Sequence, residues 1–255
     1  MNQEHQIRVN EANELRDAGK TEEAKDILQK EILYHDGEVD VNTLISMGIC
    51  LSNEGDYDMA ISHFKRAIKL AEGEEDFSKV GNITRDMAIA YMGKGTISTA
   101  INHFLESYKN LLVHGNNDSI GITASKLGLA YKKAGNYKEA KKCFQDANER
   151  LARGHHHYWM LISGIDECSL LIAMRQFKKA REKLDRLIFQ AILQGKEYKL
   201  VEALIMRGDT EMARSKDTTR MFYHLADEIL KNFSSEQVRV KFHKVINERE
   251  AQLRK

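Results

Sequence analysis

Apolar residues recur along this chain at helical spacing, and the pattern itself repeats. Over residues 41–72, Leu44, Met47 and Leu51 share one face of a predicted first helix, and Met59, Ala60, Phe64, Ala67 and Ile68 share one face of a second. Between them, Asn53-Glu54-Gly55-Asp56 carries a stop and a start. Glycine tolerates the left-handed conformation just past a helix end, and the Asp56 carboxylate can accept from the open N–H groups of the next helix. A shift of forty residues superposes Gly48 on Ala88 and Gly128, and Leu51 on Tyr91 and Tyr131. The same shift aligns Gly55, Gly95 and Gly135; Ala60, Ala100 and Ala140; and Phe64, Phe104 and Phe144. Self-similarity at a fixed period predicts helix pairs that stack, each burying the apolar face its neighbour offers.

The grammar weakens toward both ends. Over 161–194, Cys168 stands for the small residue, Leu171 for the tyrosine, Arg175 for the turn glycine and Leu184 for the phenylalanine, while Ala180 holds its place. The next stretch keeps Gly208 but puts Arg220 where alanine belongs. At the other end Ala12, Leu15, Gly19, Ala24 and Leu28 match with an offset of thirty-six. The expectation is an all-α chain of about six helix pairs near 5–37, 41–73, 81–115, 121–154, 161–195 and 197–232, forming one domain over 1–232. Gly73, Gly115, Gly154 and Gly195 are expected to end second helices. A C-terminal capping helix is expected over 233–255. Ser234 and Gln237 would make its capping box, and Val238, Phe242, Val245 and Ile246 its apolar stripe. Arg239, Lys241, Lys244, Glu248 and Arg249 occupy its other face.

Composition sharpens this picture. The 255 residues include no proline, where average usage of about 5% would supply about a dozen; proline breaks helix interiors. A net charge of +1 argues against a chain-wide attraction to nucleic acid or anionic membrane. Cys50, Cys143 and Cys168 are an odd number with no CxxC spacing, which fits a reducing compartment better than a disulfide framework. The opening MNQEHQIRVNEANEL has no apolar signal core, and no apolar run is long enough to span a bilayer. A cytoplasmic protein is expected.

Little in the sequence suggests catalysis. His155, His156 and His157 are adjacent, so on a helix they point apart and cannot share one ion. His63, His103 and Cys143 recur every forty residues, but packed helices lie about 8–10 Å apart and zinc ligands about 2.0–2.3 Å from their metal. Lys132, Lys133, Lys138, Lys141 and Lys142 form a local basic patch whose neighbours Tyr131 and Tyr137 belong to the repeat core. Phosphate-binding, nucleophile-elbow and HExxH motifs are missing. The expectation is a non-enzyme with no catalytic residue, no metal site and no cofactor.

The small residue at 48/88/128, the leucine or tyrosine at 51/91/131, the glycine at 55/95/135 and the Ala-x3-Phe from 60, 100 and 140 resemble the tetratricopeptide repeat family. The resemblance covers nearly the whole chain, with a unit of forty residues against the family's usual thirty-four. It departs in lacking the early tryptophan, Leu44 being the best substitute, and the closing proline. It implies a right-handed α-solenoid whose first helices line a concave groove that grips a peptide or helix. By position the groove residues would be Gln6, Asn10, Asn13 and Arg16, then Asn42, Ile45, Ile49 and Asn53, then Asn82, Arg85 and Ile89, then Ser125, Lys126, Leu129, Lys132 and Lys133. Ile165, Asp166, Ser169, Glu202 and Asp209 would follow. The basic clamp that some members close on an acidic tail is broken here by Val9, Ser46, Asn82 and Asp86.

Asparagine both donates and accepts, which suits a peptide backbone, and the interleaved isoleucines suit an apolar ligand. The function expected is a protein-interaction scaffold with a protein or peptide partner. The alternative is an intracellular peptide-sensing receptor. The early start of the repeats argues against an N-terminal DNA-binding segment.

Overall fold

A computed structural model describes residues 3–17, 19–34, 39–233 and 235–253. Among them are thirteen helices and no strand: α1 (Gln3–Asp17), α2 (Thr21–Tyr34), α3 (Val41–Glu54), α4 (Tyr57–Gly73), α5 (Phe77–Gly93), α6 (Ile97–His114), α7 (Asn117–Lys133), α8 (Tyr137–Gly154), α9 (His157–Ala173), α10 (Phe177–Leu193), α11 (Glu197–Asp209), α12 (Lys216–Leu230) and α13 (Glu236–Leu253). They gather into two compact units, Met1–Gly135 and Asn136–Lys255.

In unit 1 each helix packs on the next, and the first helices also touch in sequence, α1 on α3, α3 on α5 and α5 on α7. The small-residue column explains the close approach of α3 and α4. A Cβ on Gly48 would lie 2.7 Å from Cε1 of Phe64, so the ring fills the space a side chain would need. Phe64 and Ala60 are fully buried at that seam. Helix starts are set by carboxylates: Asp40 accepts from the N–H groups of Asn42 and Thr43 at 2.7 and 3.2 Å, Asp56 from Met59 at 3.3 Å, and Asp76 from Lys79 at 2.9 Å. Gly55 closes α3 with φ +89°.

The second helices end where the glycines predict, α4 at Gly73, α8 at Gly154 and α6 just before Gly115, but not through a left-handed glycine: Gly73 and Gly154 are still helical, and Gly115 is extended. Gly195 does take the left-handed conformation, but after α4 and α8 it is Glu75 and His155 that take it, at φ 57° and 56°, as does Arg175 at φ 58° after the first helix α9. An L-residue there costs about 1–2 kcal/mol. Each of these turns nevertheless closes with backbone N–H to carbonyl bonds, as in Arg175 to Ile172 and Gln176 to Leu171 at 2.9 and 2.8 Å.

Unit 2 keeps the pairing and shifts register in its last pair. In α9 and α10 the expected Cys168 and Leu184 are both 0% exposed, and a Cβ on Gly164 would lie 2.7 Å from Leu187 Cδ2. In the last pair, Gly208 takes the ring of Tyr223, 2.6 Å from where its Cβ would be. Tyr223 is one position earlier than the forty-residue period predicts, so Thr219 and Tyr223, both 0% exposed, take the places assigned to Arg220 and its fourth successor. The Thr210–Arg214 turn absorbs the slip. Helix α13 packs on α12. Its Phe242 and Ile246 are buried, and the Phe242 ring meets Tyr198 edge-on at 4.9 Å. Ser234, half of the expected capping box, lies outside the described residues; Ser235 Oγ accepts from Val238 N–H at 3.4 Å.

Candidate ligand face on the first helices of unit 1

Helices α1, α3, α5 and α7 touch in sequence, and their side chains fall into rows set by the repeat. One row is amide: Gln6, Asn42 and Asn82 on α1, α3 and α5. Another is apolar: Ile49, Ile89 and Leu129 on α3, α5 and α7, all half-buried. Gln6, Val9, Asn10, Asn13 and Arg16 of α1 and Asn42, Ile45, Ser46 and Ile49 of α3 line a hollow of about 440 Å³.

The polar groups of this face are positioned by their neighbours. Arg16 Nη1 donates to Asn13 Oδ1 at 2.7 Å, and Ser46 Oγ donates to the same oxygen at 2.8 Å. Both bonds fix the Asn13 amide and leave Nδ2 as the donor for a ligand. Arg16 also donates from Nε and Nη2 to Asp17 Oδ1 at 3.1 and 2.9 Å. The arrangement recurs on α5. Arg85 Nη1 donates to Asn82 Oδ1 at 2.7 Å and Arg85 Nε to Asp86 Oδ1 at 3.0 Å, while Asn82 Nδ2 donates to the Ser78 carbonyl at 3.0 Å. Each arginine side chain is 15% exposed. The two copies share the sequence Asn-x-x-Arg-Asp at 13–17 and 82–86.

Beside the face, a buried histidine ties α1 to its neighbours. His5 is 4% exposed. Its Nδ1 lies 2.6 Å from Glu31 Oε2 on α2, and its Nε2 lies 2.6 Å from Asp40 Oδ2 and 3.0 Å from Thr43 Oγ1 at the start of α3. Opposite ring nitrogens meet different carboxylates, so the group is an ion-pair bridge and not a chelate. Burial alone would push the imidazole down, but the hydrogen bonds to Asp40 and Glu31 outweigh it and raise its pKa above 6.5. Arg8 Nη1 donates to the second oxygen of Glu31 at 3.1 Å.

Of the positions named from the sequence, Asn13, Arg16, Asn42, Ile45 and Ile49 come together around the hollow. Asn82, Arg85 and Ile89 lie half-buried on the adjoining α5, and Lys126 and Leu129 half-buried on α7. Asn53 is exposed near the end of α3. Three positions are corrected. Ser125 is 3% exposed and Ile165 1% exposed, so both belong to the interior of their units, because a helix that packs on both flanks leaves only a narrow outward stripe. Asp209 is also withdrawn, accepting a 2.7 Å bond from the Tyr223 hydroxyl; burial raises its pKa against the opposing pull of Tyr223 and Arg249. Ser46, Asp17 and Asp86 were missed as supporting groups; the repeated Asn-x-x-Arg-Asp was the available signal.

The other chemical candidates have structural settings. His155 ends α8 and His157 opens α9, so the triple histidine is a turn. His103 stacks on Tyr91 with centroids 5.1 Å apart. Burial pushes the Cys50 and Cys143 thiols up to about 11 and Cys168 to about 12, which keeps them protonated and poor nucleophiles. No group of His, Cys, Asp and Glu among the described residues is arranged to hold a metal ion. No helix among them is long and apolar enough to cross a membrane.

Residues 43–76 and 125–150 each match a model of the tetratricopeptide repeat. The chain carries tetratricopeptide repeats. Its curated relatives include the Photosystem I assembly protein Ycf3 of Prochlorococcus marinus (strain NATL2A), 33% identical over 88 residues, which is 34% of this chain and 46% of that protein. Ycf3 of Synechococcus sp. (strain CC9605) is 30% identical over 105 residues, 39% of this chain and 57% of that protein. The chain spans about half the length of these relatives. Among solved structures, a Rap protein complexed with Competence and Sporulation Factor superposes with a TM-score of 0.76 at 12% identity, over 98% of this chain and 76% of that one. The apo quorum sensor NprR from B. thuringiensis superposes at 0.66 with 16% identity, over 97% and 76%. Identities this low speak for a shared tetratricopeptide-repeat fold.

Proposed function

We propose that this protein is a non-catalytic interaction scaffold, and that the first-helix face of unit 1 holds an extended segment of a partner protein laid across α1, α3 and α5. The observation that carries this reading is a pair of rows two turns apart on the same helices. Amides at Gln6, Asn42 and Asn82 run beside apolar Ile49, Ile89 and Leu129. A strand of peptide offers alternating backbone groups and side chains, and such rows satisfy both. Arg16 and Arg85, each held by an asparagine and an aspartate, add donors to carbonyl or carboxylate groups of the ligand.

A peptide selected from a displayed random library tests it. Asn42→Ala, Asn82→Ala and Arg85→Ala together should weaken the selected peptide at least about tenfold, equivalent to about 1.4 kcal/mol. Unchanged affinity would remove the face from consideration.

A second reading takes the ligand to be a short free peptide that the protein senses. The near-complete overlap with Rap and NprR favours it, since Rap is complexed with Competence and Sporulation Factor and NprR with its cognate peptide NprX. Blocking both termini of the selected peptide separates the two. A partner segment binds without free ends, whereas a peptide receptor reads at least one of them.

A further inference from the structure

Unit 2 carries a second surface of different chemistry. Between α10 and α12, over α11, lies a groove of about 620 Å³. Its apolar lining includes Ile188 and Ile192 of α10, Leu200 and Leu204 of α11, and Leu225 and Ile229 of α12. Ile192 is 57% and Leu225 45% exposed, and Phe189, Leu193 and Met221 on the same two helices are 61%, 70% and 50% exposed. The apolar strip therefore extends beyond the hollow, further than a small molecule would cover.

The other repeats show that this strip is not demanded by the fold. At the repeat position of Leu225 stand Arg66, Glu106, Asp146 and Arg186. At that of Phe189 stand Lys69, Lys109 and Glu149. At that of Leu193 stand Gly73, Val113 and Arg153. The second to fifth repeats place a charge, which favours water, where the sixth places leucine.

The charged side chains lining the groove are both carboxylates, Asp185 and Glu228. Asp185 uses Oδ1 for Arg207 at 2.6 Å and Glu228 uses Oε1 for Lys231 at 2.5 Å. Among the described residues, no hydrogen bond engages Oδ2 of Asp185 or Oε2 of Glu228. An apolar floor between two helices with acceptors at its rim is complementary to an amphipathic helix. We propose that the α10–α12 groove docks an amphipathic helix of a partner protein that carries lysine or arginine beside its apolar face.

The probe is a labelled synthetic helix of leucine and lysine with leucines at i, i+3, i+4 and i+7, compared with a leucine–glutamate helix of the same pattern. The leucine–lysine helix should bind saturably, one per chain, and at least about tenfold tighter than its acidic counterpart. Ile192→Ser with Leu225→Ser should weaken it at least about tenfold; both side chains are exposed enough that the helical circular dichroism should not change. Asp185→Asn with Glu228→Gln should narrow the gap between the two probes. Asn42→Ala, Asn82→Ala and Arg85→Ala should leave the binding as it is, which separates this surface from the unit 1 face. Equal binding of the two probes, or indifference to Ile192→Ser with Leu225→Ser, would overturn the proposal. So would sedimentation showing a dimer that dissociates on those two substitutions, which would make the occupant a second copy of this chain.

Discussion

The first-helix face of unit 1 and the α10–α12 groove of unit 2 are built from the same helix pair, yet they offer opposite chemistry. On the unit 1 face, amides and guanidiniums are held in place by bonds such as Ser46 to Asn13 and Arg85 to Asn82. In the unit 2 groove the floor is aliphatic, and the polar groups are two rim carboxylates and Asn232. The buried seam is common to both, Gly48 against Phe64 in one unit and Gly208 against Tyr223 in the other. The difference teaches that the repeat constrains the inward residues and frees the outward ones, so two surfaces with separate ligands can share one grammar.

The largest effect should come from the shared seam. Phe64→Ala empties the space between α3 and α4 and should cost about 3–5 kcal/mol in denaturant unfolding. Leu225→Ser on the groove surface should stay within about 0.5 kcal/mol. Comparable losses would mean that the groove is part of the core and not a surface.

Next is the bridge beneath the unit 1 face. His5→Leu leaves Glu31 and Asp40 facing an apolar side chain and should cost about 3 kcal/mol, read from the unfolding midpoint. The bridge also sets a pH dependence. The folded pKa of His5 lies above its ordinary 6.5, so its contribution is fully present below about pH 6.5 and is lost as pH rises through the folded value. For Asp40, burial raises the pKa, but the bonds from Thr43, His5 and the α3 backbone bring it below 3.8. That part is present above about pH 3.8 and is lost as pH falls through the depressed value. A His5→Leu variant should lose the alkaline slope; an unchanged slope would show that another group produces it.

The smallest effect lies in the turns. Arg175 holds φ 58° where the middle repeats use glycine. Arg175→Gly should stabilise by about 1 kcal/mol if relief of the left-handed strain exceeds the added freedom of the unfolded chain. Gly55→Ala, at φ +89°, should destabilise by about the same amount. A thermal melt of each reads the sign.

The repeat period made the helix pairs and the Gly–Phe seam legible before any coordinates, because both depend on residues one turn apart that recur without change. The last pair was legible only after its one-residue slip. Period counting pointed to Arg220, whereas the small-x3-aromatic pattern was carried by Thr219 and Tyr223, and a turn that lengthens or shortens is invisible to a fixed offset. The ligand face was readable as a set of positions but not as a set of bonds. Asn13 and Asn82 look like free amides in the sequence, and only their geometry shows each committed to an arginine. Ser125 was misplaced because a face assigned by helical position alone ignores how far the neighbouring helices wrap over it. The groove of unit 2 was visible as the one outward position where Arg66, Glu106, Asp146 and Arg186 give way to Leu225, but only with the slip corrected.

The most direct test is a calorimetric titration of one library-selected peptide into three proteins: the parent, the Asn42→Ala, Asn82→Ala, Arg85→Ala variant, and the Ile192→Ser, Leu225→Ser variant. The expected result is a loss of at least about tenfold in the first variant and parent-like affinity in the second. Parent-like affinity in the first variant, with the loss appearing in the second, would contradict the assignment of peptide recognition to the unit 1 face.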